Sequence, residues 1–562
     1  MQKKETYELT SPQKSIWITE QFYKESNINT LCATFFIKEK VDFQNLEKAI
    51  NIVVEENDAL RLRVILTNGN IEQYISEYIE IKNNLVELEK EEEVHLLENK
   101  IAQETFNINN SQLFIFTMFK LPNGHGGVIL KLHHLIGDSW SLGITGNKIA
   151  ETYSYLLKNK KIEIKNNSYI EYINSESMYL KSEKIKKDKE FWNNIYSTIP
   201  EIATIPYTNK NLIINSIKAN RITKKINTDL LMEINEFCSK NKISMFNFFM
   251  AVYSIYIYKI TNIDDFVIGT PILNRTNFRE KDTIGMFANT LPYRIKINSE
   301  LTIEEFLKQL TIDSISMLRH QKYSYQSILK DLRKKDSNIP KLYKILISYQ
   351  ITKITKANNI LPYETTWNFN NSICNDIDIH ISDITGTGNI DISYDYNLEK
   401  YQEKVINEMH ERVINIIENI IENPKQKIKN IEIISFKEKR QIKKINNTKE
   451  YIDLTKNIQD IFEEKVIEKK DKIAIKYKNI KISYFQLNNN ANKIANFLVK
   501  NNIKQKDVIV ITMKRSIEML ETILGVIKSG AIYFLIDDSL PEERKKYILN
   551  NSKAKMIIID DS

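Results

Sequence analysis

Cysteine, glycine and proline are scarce in this chain, at 3, 13 and 10 of 562 residues. Cys32, Cys238 and Cys374 are odd in number and far apart, which excludes a disulfide framework and a metal-ligand spacing and fits a reduced, cytosolic setting. No Gly-rich, Ser/Thr-rich loop occurs anywhere, and the backbone amides of such a loop are what cradle a nucleotide's phosphates, so no complete ATP site is expected. Low glycine beside heavy use of Asn, Lys and Ile otherwise reads as a coding bias. The start, Met1 to Glu5, lacks the apolar core of a secretion signal. The richest apolar run, Met245 to Ile260, is too short to span a bilayer and carries Asn247 and Ser254, so it is expected as a buried helix and not a membrane span. Charge of one sign is lacking as well. Lys and Arg number 80 against 72 Asp and Glu, and the resulting +8 is spread through mixed sequence, which is no nucleic-acid footprint.

What is present is enough apolar residue for several cores. At 562 residues with 42% hydrophobic and 27% charged side chains, the chain should fold as two or three globular domains. Ser11-Pro12 opens a helix, with Ser as N-cap, that continues through Trp17 and Phe22. Thr30 to Lys38 alternates like a strand, and Phe43, Leu46, Ile50 and Val53 recur at helical spacing. Arg61 to Leu66 and Ile71 to Tyr78 flank Asn68-Gly69, a hairpin signal. A second hairpin pairs Leu113 to Phe119 with Gly127 to His133 across Pro122-Asn123-Gly124. Helices and strands interleave, so the fold class is α/β.

The segment Leu132-His133-His134-Leu135-Ile136-Gly137-Asp138-Ser139-Trp140-Ser141 concentrates the chemistry. Gly127 to Leu132 reads as a buried strand and Gly137 to Ser139 as a turn into a helix. Adjacent strand residues point to opposite faces, so only one of the two histidines can face a given cleft. A metal pair would sit two apart on a strand or four apart on a helix, with a third ligand nearby, and none is spaced to serve. Two readings stay open on the residues alone: two core histidines without chemistry, or one general base with Asp138 holding the loop.

This segment resembles the HHxxxDG signature of condensation domains of non-ribosomal peptide synthetases, relatives of chloramphenicol acetyltransferase. Other stretches resemble that family's remaining core motifs in order. They are Leu9 to Trp17, Asn57 to Arg63, Tyr169 to Tyr172 (the loosest), Ile284 to Thr290, His320 to Tyr325, and Leu342 to Gln350. The resemblance implies two chloramphenicol-acetyltransferase-like lobes in a V-shaped pseudo-dimer, 1–175 and 176–436, with a tunnel along their interface. Beyond them, Lys437 to Lys444 reads as a charged helix within a linker at 437–457, polar from Asn446 to Lys456. In 458–562, Lys481 to Leu487 and Leu524 to Tyr533 resemble the first two core motifs of adenylation domains, so this stretch is expected to be a truncated N-terminal part of one that does not activate amino acids by itself.

The implied reaction is amide formation: an aminoacyl group on a carrier protein's 4'-phosphopantetheine arm attacks the thioester of an acyl donor. The resemblance assigns the tunnel-facing catalytic role to His134, as base or orienting group, and a structural one to His133. Asp138 is expected in a buried ion pair with Arg275. Ser139 departs from the family's glycine; a backbone there at positive φ would be strained, and its N–H would serve as oxyanion donor. Trp140, Asn289 and Tyr349 are expected to line the tunnel or to pack as ordinary core. Details of Asn57 to Arg63, Gln73 to Tyr78 and Arg319 to Tyr325 look closest to starter condensation domains of surfactin-type lipopeptide synthetases, which implies a fatty acyl donor from coenzyme A or an acyl carrier protein. The alternatives are a peptidyl donor from an upstream module, or a catalytically inactive docking module. The basic run Lys184 to Lys189 reads as a solvated helix face or as a patch for an acidic carrier. The expected partners are peptidyl and acyl carrier proteins, with no nucleic acid, no metal and no cofactor of the domain's own, in a monomeric, cytoplasmic part of a larger synthetase.

Overall fold

A computed structural model describes residues 5–67, 70–160, 167–208, 216–339, 341–351, 363–383, 388–537 and 539–560. The chain divides into two compact units, Met1–Gln441 and Ile442–Ser562.

The first unit is built on two sheets. One has five strands in the order Tyr363–Asn368, Thr30–Ile37, Gly126–His133, Phe114–Lys120 and Asn84–Glu87. The other has six, in the order Asn289–Lys296, Asp265–Ile272, Ile345–Ile351, Ile377–Asp383, Asp391–Asn397 and Ala219–Lys225. Helices cover them, giving the α/β class read from the sequence. The helix Phe43–Glu56 buries Leu46, Ile50 and Val53, the expected stripe, and Asp42 caps its first turn. Met245–Thr261 is the core helix of the second lobe, with Phe248 to Tyr253 buried without a break. Among the described residues no single helix is long and apolar enough to cross a membrane.

Several local expectations shift. The first helix spans Ser11–Phe22, but its cap is Thr10 and not Ser11: the Thr10 side chain accepts from Gln13 N while the Gln13 side chain accepts from Thr10 N. That capping box satisfies two of the helix's free amides at once. Thr30–Ile37 is buried along nearly its whole length and does not alternate, because it is a central strand covered on both faces. The strands Leu62–Thr67 and Asn70–Ile75 pair antiparallel as expected, although the Asn68-Gly69 turn lies outside the described residues. In the other hairpin Gly124 adopts φ +84, the left-handed conformation that glycine takes without strain.

The lobe boundary is crossed by chain. Tyr363–Asn368, from the stretch assigned to the second lobe, pairs antiparallel with Thr30–Ile37 and extends the first lobe's sheet. Ile284 and Phe287 likewise pack in the first lobe's core, against Tyr169 and Tyr172.

In the second unit three parallel strands run in the order Ile532–Leu535, Val508–Thr512 and Met556–Ile559, flanked by helices such as Tyr484–Lys500 and Ile517–Lys528. Ser483 and Gln486 form a capping box at the start of the first of these helices. The charged helix is found at Phe436–Ile445, and residues 446–457 hold neither helix nor strand.

Candidate active site

The strand Gly126–His133 ends at the first of the paired histidines, and alternation sends the two rings to opposite sides. His133 is buried. Its Nδ1 accepts from Leu135 N at 3.1 Å, which leaves the proton on Nε2, 3.5 Å from Glu20 Oε2. Burial alone would raise the Glu20 carboxyl, but hydrogen bonds from His133 and from Asn29 (2.7 Å) outweigh it and hold it low. His133 is thus consumed in bracing the loop.

His134 is different. Its backbone N–H donates to Asn29 O at 2.8 Å, its Nδ1 has no hydrogen-bond partner among the described residues, and the ring borders a cavity of about 370 Å³. Burial pushes its pKa below that of an ordinary histidine; the Asp138 charge pulls upward and His133 adds to the depression. At neutral pH the ring is therefore neutral, the form that accepts a proton.

Asp138 caps the helix Ser139–Leu157 through Ser141 N at 2.9 Å. Arg275 Nη2 donates to both its oxygens, at 2.9 and 3.1 Å, and Phe287 N and Ala288 N donate to Oδ2 at 3.2 Å each. Burial alone would raise the Asp138 carboxyl, but the Arg275 charge and the Ser141 donors prevail and keep it low. Arg275 in turn donates through Nη1 to the carbonyls of Glu280 (2.5 Å) and Thr283 (2.6 Å), and its guanidinium lies 4.0 Å from the Phe287 ring. Arg275 Nε takes no hydrogen-bond partner among the described residues, but the pair still resists disruption, because removing one partner leaves the other charge stranded.

Ser139 is the first helical residue and is not among the positive-φ positions, so the serine carries none of the strain that a glycine-requiring backbone would impose. Trp140 donates from Nε1 to Lys281 O at 2.8 Å. Asn289 departs from the tunnel-lining expectation: it is buried, borders neither cavity of the site, and its amide holds the Gln321 carbonyl at 2.9 Å.

A second cavity, of about 640 Å³, meets the first at Asp138, Ser139, Pro271, Ala288 and Gln350. Trp140, Phe246, Ile272, Leu273, Ile315, Leu318 and Tyr349 give it an apolar wall, and Tyr349 stacks on Phe249 at 6.5 Å. The wall of the His134 cavity on the second lobe is polar instead. There Arg221 donates to Asp395 at 2.6 and 2.8 Å, His380 Nε2 lies 3.1 Å from Asp395, and His380 Nδ1 lies 2.7 Å from Ser348 Oγ. Among the described residues no group of three or more His, Cys, Asp or Glu is placed to hold a metal.

Sequence reasoning missed much of what supports the motif. Gln13 donates to Leu135 O at 2.9 Å, and Ser141 Oγ donates to Gly285 O at 2.8 Å. A Cβ at Gly285 would meet the Tyr169 ring at 2.1 Å, so only glycine fits there. Gln13 and Gly285 lie in stretches already noted as motifs, but their partners are over 100 residues away in the chain, beyond any periodic signal.

A strand thus brings a neutral imidazole to the seam between two α/β lobes, beside a buried Asp–Arg pair. Comparison with known proteins identifies the family. The Condensation domain family model matches residues 3–443 and the AMP-binding enzyme model matches residues 462–562. The chain belongs to the condensation domains of nonribosomal peptide synthetases, which form amide bonds between phosphopantetheine-borne substrates, and continues into a fragment of an AMP-binding domain. It is 32% identical to surfactin synthase subunit 1 of Bacillus subtilis (strain 168) over 99% of this chain and 16% of that protein. Gramicidin S synthase 2 of Brevibacillus brevis is 25% identical over 99% of this chain, which spans 12% of its length. A four-domain nonribosomal peptide synthetase bound to AMP and glycine has a TM-score of 0.82 at 17% identity, over 99% of this chain and 43% of that one. A mutant starter condensation domain of rhizomide synthetase in complex with C8-CoA has a TM-score of 0.66 at 20% identity, over 76% of this chain and 97% of that one.

Proposed function

We propose that this chain condenses a fatty acyl thioester with a carrier-bound aminoacyl group, with His134 at the reacting centre. The observation that carries the reading is the meeting of two unlike cavities beside that ring: the larger is walled with apolar side chains, and the smaller holds the neutral imidazole. An acyl tail gains from the first, since apolar surface leaves water there. The amine reacts from the second.

In the step itself the amine nitrogen attacks the donor's thioester carbonyl, the C–N bond forms, and the C–S bond breaks. The proton on nitrogen passes to His134, and the departing thiolate takes up a proton. Alignment of the two reactants supplies much of the acceleration, because it removes the translational freedom that a bimolecular encounter must lose. The Ser139 N–H, at the N-terminus of the helix Ser139–Leu157, sits where the helix dipole favours a developing oxyanion. His133, Asp138 and Arg275 hold the loop; Trp140 and Tyr349 shape the donor cavity. The lobes are taken as 1–175 and 176–436, with 437–457 as linker and 458–562 as adenylation fragment.

The similarity to surfactin synthase subunit 1, and to a starter condensation domain whose structure holds C8-CoA, supports the fatty acyl donor over a peptidyl one. Carrier proteins are the partners this reading requires, with acyl-CoA as a donor source, in the cytoplasm. Incubation with octanoyl-CoA and an aminoacyl-loaded carrier should yield the acyl amide by mass spectrometry. A product formed with a peptidyl thioester and not with acyl-CoA would transfer the assignment to a peptidyl donor.

A further inference from the structure

We propose that Asp378 is a positioning residue for the acceptor, holding its α-ammonium group in the cavity that His134 borders. The inference rests on the amide-forming reading above and adds the recognition of one reactant.

The strand Ile377–Asp383 turns Ile377, Ile379 and Ile381 into the second lobe's core, so Asp378, His380 and Ser382 lie on its other face, toward the cavity. The wall is nearly saturated. Asp395 has one oxygen on Arg221 and the other shared by Arg221 and His380, and both His380 nitrogens are engaged, by Asp395 and Ser348. Asp378 is the exception. One oxygen accepts from Asn375 Nδ2 at 2.7 Å, and the other takes no hydrogen bond from the described residues.

The charges near this carboxylate come from four directions. His380 is on its own strand, Asp395 is on the neighbouring strand and Arg221 on the one beyond it, Lys341 lies behind Asn375, whose side-chain carbonyl it contacts, and His134 borders the cavity from the first lobe. Arg221 is neutralised by Asp395, and Lys341 borders neither cavity. One carboxylate is therefore left to face a ligand, and an incoming amine is a cation that suits it. Burial raises the Asp378 carboxyl to about 6, with Asp395 adding to the rise and His380, Asn375 and Lys341 opposing it. Free α-amines titrate near roughly 8, so carboxylate and ammonium coexist between those limits. The ammonium docks there and becomes a nucleophile once water in the cavity mouth takes its first proton, which leaves His134 neutral to receive the second as the C–N bond forms.

The test uses the full chain. The first probe is the glycyl thioester of N-acetylcysteamine, compared by calorimetry at pH 7 with its desamino acetyl counterpart in the absence of donor. The wild-type protein should bind the amine-bearing probe roughly tenfold more tightly, and Asp378→Asn should abolish that difference. With octanoyl-CoA added, Asp378→Asn should raise the KM for the acceptor about tenfold and leave the KM for octanoyl-CoA unchanged, and Asp378→Glu should restore part of the loss. Equal binding of the two probes by the wild type, or an acceptor KM unaltered in a folded Asp378→Asn protein, overturns the proposal. Neither result touches the amide-forming reading, which fails separately if no acyl amide appears with any thioester donor.

Discussion

The two cavities that converge on Ser139 make opposite demands of whatever enters them. The larger, about 640 Å³, offers the aromatic and aliphatic side chains of Trp140, Phe246, Ile272, Leu273, Ile315, Leu318 and Tyr349, with hydroxyl and amide side chains such as Asn247, Thr311 and Gln321 among them. The smaller, about 370 Å³, is fringed by His134, Asp378, His380, Asp395 and Arg221. Both draw walls from the same second-lobe sheet and share Pro271 on Asp265–Ile272 and Gln350 on Ile345–Ile351, so the contrast arises from the further strands that the His134 cavity meets. The His134 cavity reaches Asp378 and His380 on Ile377–Asp383, Asp395 on Asp391–Asn397 and Arg221 on Ala219–Lys225, where the core takes the alternating isoleucines and leaves the polar side chains outward. The acyl-side cavity reaches Pro271, Ile272 and Tyr349 on Asp265–Ile272 and Ile345–Ile351. One sheet thus serves an acyl ligand along two inner strands and a charged ligand toward its Ala219–Lys225 edge.

Three changes break or sharpen that contrast. Asp138→Ala should have the largest effect, because Asp138 borders both cavities and its loss strands Arg275. A fall of about 3–5 kcal/mol in unfolding free energy is expected in chemical denaturation, with both substrates' binding weakened. Unaltered stability would mean that the pair does not hold the junction. Narrowing the apolar cavity comes next. Ile315→Trp should shift the kcat/KM ratio between long and short acyl donors toward the short by roughly 1–3 kcal/mol while the acceptor KM stays put. An equal effect on both substrates would show that the cavities are not divided between them.

The smallest effect concerns pH. The folded His134 ring has a lowered pKa, chiefly through burial. Its neutral form therefore adds stability that is complete above the unfolded value of about 6.5 and diminishes as pH falls from there toward the folded pKa. His134 should accordingly contribute an acid limb of kcat/KM below about 6.5, distinct from the acceptor amine's own limb near roughly 8, while the Kd for octanoyl-CoA changes little over the same range. A protein limb between those two values would place another group at the reacting centre.

Much of this site was legible as local sequence. The strand into the histidine pair, the turn at Gly137 and the helix from Ser139 each follow from a short pattern, and their order along the chain recurs in the family. The Asp138–Arg275 pair was reachable only through the family resemblance, because nothing local links residues that far apart. What the sequence hid was produced by crossing chain. The pairing of Tyr363–Asn368 with Thr30–Ile37 depends on edge availability in a sheet built some 300 residues earlier, which no local pattern reports. The polar wall escaped notice because Asp378, His380 and Asp395 alternate with apolar residues, as in any half-buried strand, and only the position of the other lobe turns that face into a cavity. For Asn289 the sequence left tunnel lining and ordinary packing both open, and its amide bonds the Gln321 carbonyl, in the loop after the helix Ile303–Arg319.

The central claim is that the imidazole at position 134 sits where the amine reacts. Single-turnover amide formation with saturating octanoyl-CoA and aminoacyl carrier, in His134→Ala against the parent protein, addresses it most directly. The account predicts a rate at least ~100-fold lower with an unchanged melting temperature. Equal rates in the two proteins would contradict it and leave the paired cavities as a docking surface.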